Sequence, residues 1–164
     1  MNYQDLIRQA YQLAADESTD ISTKCGALLI HPDDGHIILG GVNLFVNSDM
    51  ATDPKNYERP RKYWVTEHAE RAVILKAAQR GISTSGLIMV APWASCPDCA
   101  RAIVLAGIPL VVAHKQAYKQ TPERWMEMVT AGIEILEGGG VTYYLFDSPI
   151  DGCENLFNGE IWYP

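Results

Sequence analysis

The stretch LIMVAPWASCPDCARAIVLAGIPLVVA (Leu87–Ala113) decides the fold. Leu87–Ala91 is a short apolar run and reads as a buried strand. Pro97 suits the first turn of a helix, where no N–H is needed, and that helix runs through Ala102-Ile103-Val104-Leu105 to Gly107. Leu110–Ala113 is a second buried strand. Strands alternating with buried helices imply a sheet covered by helices on both faces.

Outward from there, Tyr3, Leu6, Ile7, Ala10, Tyr11 and Ala14 follow the spacing of an amphipathic helix. Cys25–Ile30 and Ile37–Val42 flank Pro32-Asp33-Asp34-Gly35 and read as a β-hairpin. Leu44–Trp64 has no usable period and is expected to be a long ordered loop, of the kind that is usually functional. Thr66 is expected to cap a helix that is apolar on nearly every side over Ala69–Ala78 and ends at Gly81. Trp125, Met128 and Val129 mark a fourth helix, expected to stop at Gly132. Two strands, Ile133–Leu136 and Val141–Phe146, then close the domain. The whole reads as an α/β fold: a three-layer α/β/α sandwich with a mixed five-stranded sheet. It is expected to be one domain over residues 1–164, with Asp147–Pro164 a tail that docks on its own chain or a neighbour.

The chain has 164 residues, 13 Lys plus Arg, 20 Asp plus Glu, and a formal charge of −7. An apolar content of 48% is that of a globular protein and excludes a disordered chain. The acidity speaks against a general phosphate-backbone binder, so a nucleic-acid partner is not expected. It leaves room for a small anionic ligand held by a few local cations. Nothing in Met1–Asp16 resembles a signal peptide. The longest apolar run, Ala102–Ala113, has 12 residues, too short to span a membrane. A cytoplasmic, reducing compartment is therefore expected, where Cys-x-x-Cys is more often metal or redox chemistry than a disulfide.

The informative residues are His68 and Glu70 at the start of one helix and Cys96 and Cys99 at the start of another. Alone, His-x-Glu is usually a solvated pair, and Cys-x-x-Cys could be a redox couple or half a structural zinc site. Together, each at a helix N-terminus after an irregular connection, they are far more specific. Cysteines three apart share a helix face, so both sulfurs reach one ion. The helix N-terminus stabilises the thiolates that bind metal. His68 completes three protein ligands and leaves a fourth tetrahedral position for water, the pattern of a catalytic zinc. Glu70, two residues from His68, is off the histidine's face and suits a general acid/base. Cys25 reads as a buried strand thiol, and Cys153 has no evident role. Cations gather in two places: Lys24, Arg59, Arg61 and Lys62 flank the expected entrance, and Lys115, Lys119 and Arg124 follow Leu110–Ala113.

His68-Ala69-Glu70 and Cys96-Pro97-Asp98-Cys99, followed by Ala100-Arg101-Ala102-Ile103, resemble the zinc-dependent cytidine deaminase superfamily, whose signature places an unligated Glu beside the metal. Within it the chain is most similar to the deoxycytidylate (dCMP) deaminase family, through Ser22-Thr23-Lys24-Cys25-Gly26-Ala27, Lys62-Tyr63-Trp64-Val65 and Leu105-Ala106-Gly107-Ile108. Two departures stand out: Ser95 occupies the place of the family's proline before the first Cys, and Gly41-Val42-Asn43-Leu44 replaces Gly-Tyr-Asn-Gly. The resemblance implies a cytidine deaminase-like fold and hydrolytic deamination of dCMP to dUMP with loss of ammonia. Glu70 would carry a proton to the ring N3 and then to the departing amine. It also implies that Asn43 contacts the sugar, that the Ala69 N–H and Glu70 hold the base edge, and that Tyr118 contacts phosphate or sugar. Trp93 would wall the base pocket, with Lys24, Arg59 and Lys115 as phosphate candidates. The Leu44–Arg61 loop leaves room for a triphosphate, so dCTP stands beside dCMP. Because Leu44–Glu67 holds no Cys or His, one Zn2+ per chain is expected. Family members form homo-oligomers, often hexamers, and self-association is expected here. The alternatives are a deaminase of free cytidine or of tRNA, or a non-catalytic zinc-stabilised binding module. Glu70 argues against the last, which has no use for it.

Overall fold

The computed structural model describes residues 1–164. Its elements run α1 (Tyr3–Glu17), β1 (Gly26–Ile30), β2 (Ile37–Val42), β3 (Leu44–Phe45), α2 (Lys62–Val65), β4 (Thr66–Glu67), α3 (Ala69–Gln79), β5 (Ile88–Val90), α4 (Pro97–Leu105), β6 (Leu110–His114), α5 (Lys115–Lys119), α6 (Glu123–Gly138), β7 (Thr142–Phe146), β8 (Asn155–Phe157) and β9 (Glu160–Trp162). The main sheet has five strands in the order β2-β1-β5-β6-β7. β1 pairs antiparallel with β2 and β5, whereas β5, β6 and β7 run parallel, so the sheet is mixed as expected.

Alternation along the strands divides the core between the two faces of the sheet. Ala27, Leu29, Met89, Ala91 and Val111 meet α3, α4 and α6 through Val73, Ala77, Ile103 and Leu136. Leu28, Ile30, Ile88, Val90 and Val112 meet α1 through Leu6, Ile7, Ala10 and Tyr11, joined by Ile150 from the C-terminal segment. Helices on both faces make three layers. α3 can lie close on β2 because of Gly41, where a Cβ would come within 2.7 Å of the Val73 nitrogen. No helix is long and apolar enough to cross a membrane.

Five expectations are corrected. Thr66 does not cap α3: it is the C-cap of α2 and lies in β4, and the N-cap of α3 is His68. That helix buries one face only, Ala69, Glu70, Val73 and Ala77, and leaves Leu75 53% exposed. Gly132 does not stop the fourth long helix, and Ile133–Leu136 is helical, because α6 continues to Gly138. Gly132 is instead a contact point, where a Cβ would sit 2.1 Å from the Ser95 carbonyl oxygen. The segment Leu44–Trp64 is not loop throughout: it holds β3, which pairs with β4, and two 3-10 turns at Ser48–Thr52 and Pro54–Tyr57. The tail docks on its own chain, as the antiparallel hairpin β8–β9 beside α1.

Candidate active site

α3 and α4 pack side by side on one sheet face, and their N-termini open into one cavity of about 210 Å³. His68 is the N-cap of α3 and Cys96 the N-cap of α4, both with extended backbone and neither using its side chain as a cap. Both side chains are therefore free to project from the helix ends. Pro97 occupies the first turn of α4, and Cys99 follows on the same turn, fully buried. Arg71 ties the two segments together. Its Nε donates to Glu67 Oε1 at 2.7 Å, and its Nη1 lies 3.5 Å from Asp98 Oδ2 at the start of α4.

His68 Nδ1 lies 3.5 Å from Cys96 Sγ and 3.6 Å from Cys99 Sγ, and the three donor atoms fall within 4.8 Å of one another. Tetrahedral zinc, with Zn–S near 2.3 Å and Zn–N near 2.0–2.1 Å, separates an imidazole nitrogen from a thiolate sulfur by about 3.6 Å. The donor set fits zinc. Hydrogen bonds from Cys99 and then His68 pull the Cys96 thiol down to about 4, the ionised form that ligation needs. Bonding to Cys96 and burial push Cys99 up, as expected when two thiols share one proton. The same contact with Cys96 raises His68.

Glu70 lines the cavity beside these ligands and is 7% exposed. Burial pushes its carboxyl up, against the opposing pull of His68. A carboxyl so placed can hold a proton and release it. Ala69 opens α3 at the cavity, and the first N–H of a helix has no acceptor within the helix.

The remaining expected residues divide. Trp93 and Arg59 line the cavity; Lys24, Lys115 and Tyr118 do not. Lys24 Nζ turns away to the Ala15 carbonyl, and Lys115 Nζ pairs with Asp147 at 2.6 Å. Asn43 lines the cavity, but its carboxamide is occupied by the protein. Oδ1 accepts from Ser18 Oγ at 2.6 Å and the Cys25 N–H at 2.8 Å, and Nδ2 donates to the Thr23 carbonyl at 2.8 Å and Asp20 Oδ2 at 3.2 Å. Lys62 Nζ is likewise held, 2.8 Å from Asp20 in a buried ion pair. Arg59 is exposed at the mouth, its guanidinium 6.0 Å from the centre of the Tyr63 ring.

Sequence reasoning missed much of the wall. Tyr63 and Trp125 meet edge to face at 5.1 Å, with Met128 beside them, and Phe157 stacks on Trp93 at 4.6 Å and 19°. Phe157 and its neighbour Asn158 belong to the tail. The Asn158-Gly159 dipeptide between two short runs was the available hairpin signal. Trp93 Nε1 and Thr66 Oγ1 are buried in this lining without a protein partner. Leaving such groups unsatisfied costs about 1–3 kcal/mol each, so a ligand or water is the expected partner.

Residues 1–115 match the profile of the cytidine and deoxycytidylate deaminase zinc-binding region. The deoxycytidylate deaminase of Enterobacteria phage T2 is 34% identical over 95 residues, which cover 56% of this chain and 50% of that protein. The deoxycytidylate deaminase of Enterobacteria phage T4 is 32% identical over 124 residues, 71% of this chain and 63% of that protein. The chain thus matches between half and two thirds of the length of these relatives. Among solved structures, the dCMP deaminase of cyanophage S-TIM5, in complex with dCMP and dUMP, superposes with a TM-score of 0.60 at 22% identity, over 87% of this chain and 95% of that one. At that identity the likeness speaks for the fold. The profile match spans both zinc motifs and most of the sheet, and by it the chain belongs to the zinc-binding cytidine and deoxycytidylate deaminase family.

Proposed function

We propose that this chain deaminates a deoxycytidine nucleotide, taking dCMP and water to dUMP and ammonia, with dCTP the next substrate to test. The observation that carries it is a buried carboxyl, Glu70, sharing a cavity with His68 and Cys96, two of three clustered zinc-compatible donors that do not need it. His68, Cys96 and Cys99 would hold zinc, which would supply Lewis acidity to lower the pKa of water toward ~7, so that no strong base is needed for attack at C4. Glu70 takes the proton released, delivers it to the ring N3, and then protonates the amine as it leaves. The Ala69 N–H fixes the edge of the base, and the aromatic wall of Trp93 and Phe157 excludes water and bounds the ring. Arg59 is the phosphate candidate, since Lys62 is neutralised by Asp20 and the other cations lie off the cavity.

Single-domain action within the cytoplasm and self-association belong to the same proposal. Support for self-association is exposed apolar surface at Trp64 and Val46, 73% and 75% exposed. A panel of cytidine, dCMP and dCTP on zinc-replete protein, following loss of the cytosine chromophore, tests the substrate. Turnover of dCMP is expected, and turnover of the nucleoside alone would reject the nucleotide assignment. Sedimentation of the same sample reads the oligomer, and a monomer would reject that part.

A further inference from the structure

The β8–β9 hairpin lies outside the residues that match the family, yet its Phe157 lines the cavity. A hairpin with three residues a strand does not hold itself in place, so its position comes from what it docks on. The pairing Asn155↔Trp162 and Phe157↔Glu160, with side chains alternating along each strand, puts Phe157 and Trp162 on one face. Both rings meet Trp93: Phe157 stacks on it at 4.6 Å and 19°, and Trp162 lies 5.5 Å away at 54°. Ile161, on the opposite face of the hairpin, is 61% exposed.

Trp93 depends on such contacts. Its Nε1 is buried without a protein partner, so no hydrogen bond within the fold orients the indole. Trp162 is the ring best seated to do so. It meets Tyr11 edge to face at 5.8 Å and lies along His114 at 6.3 Å, and both neighbours are buried. Tyr11 Oη and His114 Nδ1 are 3.0 Å apart, and His114 Nε2 lies 3.0 Å from the Ser148 carbonyl oxygen. Residues from α1, from β6 and from the chain after β7 thus form a fixed seat for Trp162, which itself does not line the cavity.

We propose that Trp162 is a positioning residue: lodged between the buried Tyr11–His114 pair and Trp93, it holds the Trp93 indole as a wall of the base pocket and so sets substrate affinity from outside the cavity. This rests on the deaminase assignment.

The test measures kcat and KM for dCMP on the zinc-replete wild type, Trp162→Ala, Trp162→Phe and Ile161→Ala. A wall that binds substrate and transition state alike acts on KM, whereas a loss of folded enzyme lowers kcat and leaves KM unchanged. Trp162→Ala should raise KM about tenfold, the scale of lost aromatic contacts, with kcat within a factor of about three. Trp162→Phe should bring KM back to within about threefold of the wild type, and Ile161→Ala should leave it unchanged. In a Trp93→Ala background the Trp162→Ala change should raise KM less than about twofold, because the ring it acts through is gone. An unchanged KM in Trp162→Ala, a fall in kcat alone, no recovery in Trp162→Phe, or the full effect without Trp93 overturns the proposal. If the wild type does not turn over dCMP, the deaminase assignment falls by itself. Equilibrium binding of dCMP then decides the role of Trp162. Binding about tenfold weaker in Trp162→Ala, with Ile161→Ala unaffected, upholds it, while equal affinities or no binding by the wild type overturn it.

Discussion

Replacing Gly132 by alanine separates local helix propensity from the packing that positions the cysteine motif. Gly132 lies inside α6, and an exposed helical Gly→Ala change stabilises by up to about 1 kcal/mol. Here the added Cβ would sit 2.1 Å from the Ser95 carbonyl oxygen and 3.3 Å from the Cys96 carbonyl carbon. Both neighbours are backbone, so no rotamer change relieves the overlap, and α6 must move away from the loop that carries Cys96. Overpacking costs about 1–3 kcal/mol, and the rigid contact places this case at the upper end. Net destabilisation of about 1–2 kcal/mol remains after the propensity gain, a fall in Tm of about 2–8 °C for a chain of this size. Gly138 is the internal control: it ends the same helix, and nothing lies within 4 Å of its Cβ position. Gly138→Ala should leave stability unchanged or raise it by up to about 1 kcal/mol. Urea unfolding of the three proteins gives the comparison, with zinc retention measured alongside. Gly132→Ala as stable as Gly138→Ala would refute the close packing of α6 on the cysteine loop.

Two further perturbations probe groups around the cavity. Asp20→Ala leaves the Lys62 ammonium buried and unpaired, which should cost about 3–5 kcal/mol. Adding Lys62→Met should recover at least half of that loss in urea unfolding, and no recovery would show that the pair is not the cause. Burial pushes the His114 imidazole below its ordinary 6.5, while Tyr11 Oη and the Ser148 carbonyl hold it at 3.0 Å on each nitrogen. The folded chain binds this proton less readily than the unfolded chain. The stabilisation is therefore complete above pH 6.5 and is lost as pH falls through the lowered folded value. The stability difference between wild type and His114→Gln should shrink from pH 7.5 to pH 5.5, and a constant difference would contradict the assignment.

Much of the site was legible because it is local. His68-Ala69-Glu70 and Cys96-Pro97-Asp98-Cys99 each sit at one helix start, where chain spacing alone brings the donors to one end of an element. The sheet was legible through its apolar runs. Errors arose where a residue type carried two meanings. Gly132 reads as a helix stop, yet Trp125, Met128, Val129, Gly132 and Leu136 continue one helical face, and the glycine is there for close approach. Asn43 is a separate case: it matched a family position and lines the cavity, while the partners that hold its carboxamide, Ser18, Asp20, Thr23 and Cys25, come together only in the fold. The cavity wall was least legible, because Tyr63, Trp125 and Phe157 are brought together by tertiary packing between distant segments.

The central claim is that Glu70 moves protons beside a zinc held by His68, Cys96 and Cys99. Metal content and dCMP turnover, measured together on the wild type and Glu70→Gln, test it most directly. The account expects one zinc per chain in both proteins, ammonia release from dCMP by the wild type, and a loss of at least about 10²-fold in kcat for the variant. A zinc-loaded wild type that leaves dCMP intact, or a Glu70→Gln variant that keeps its turnover, would contradict it.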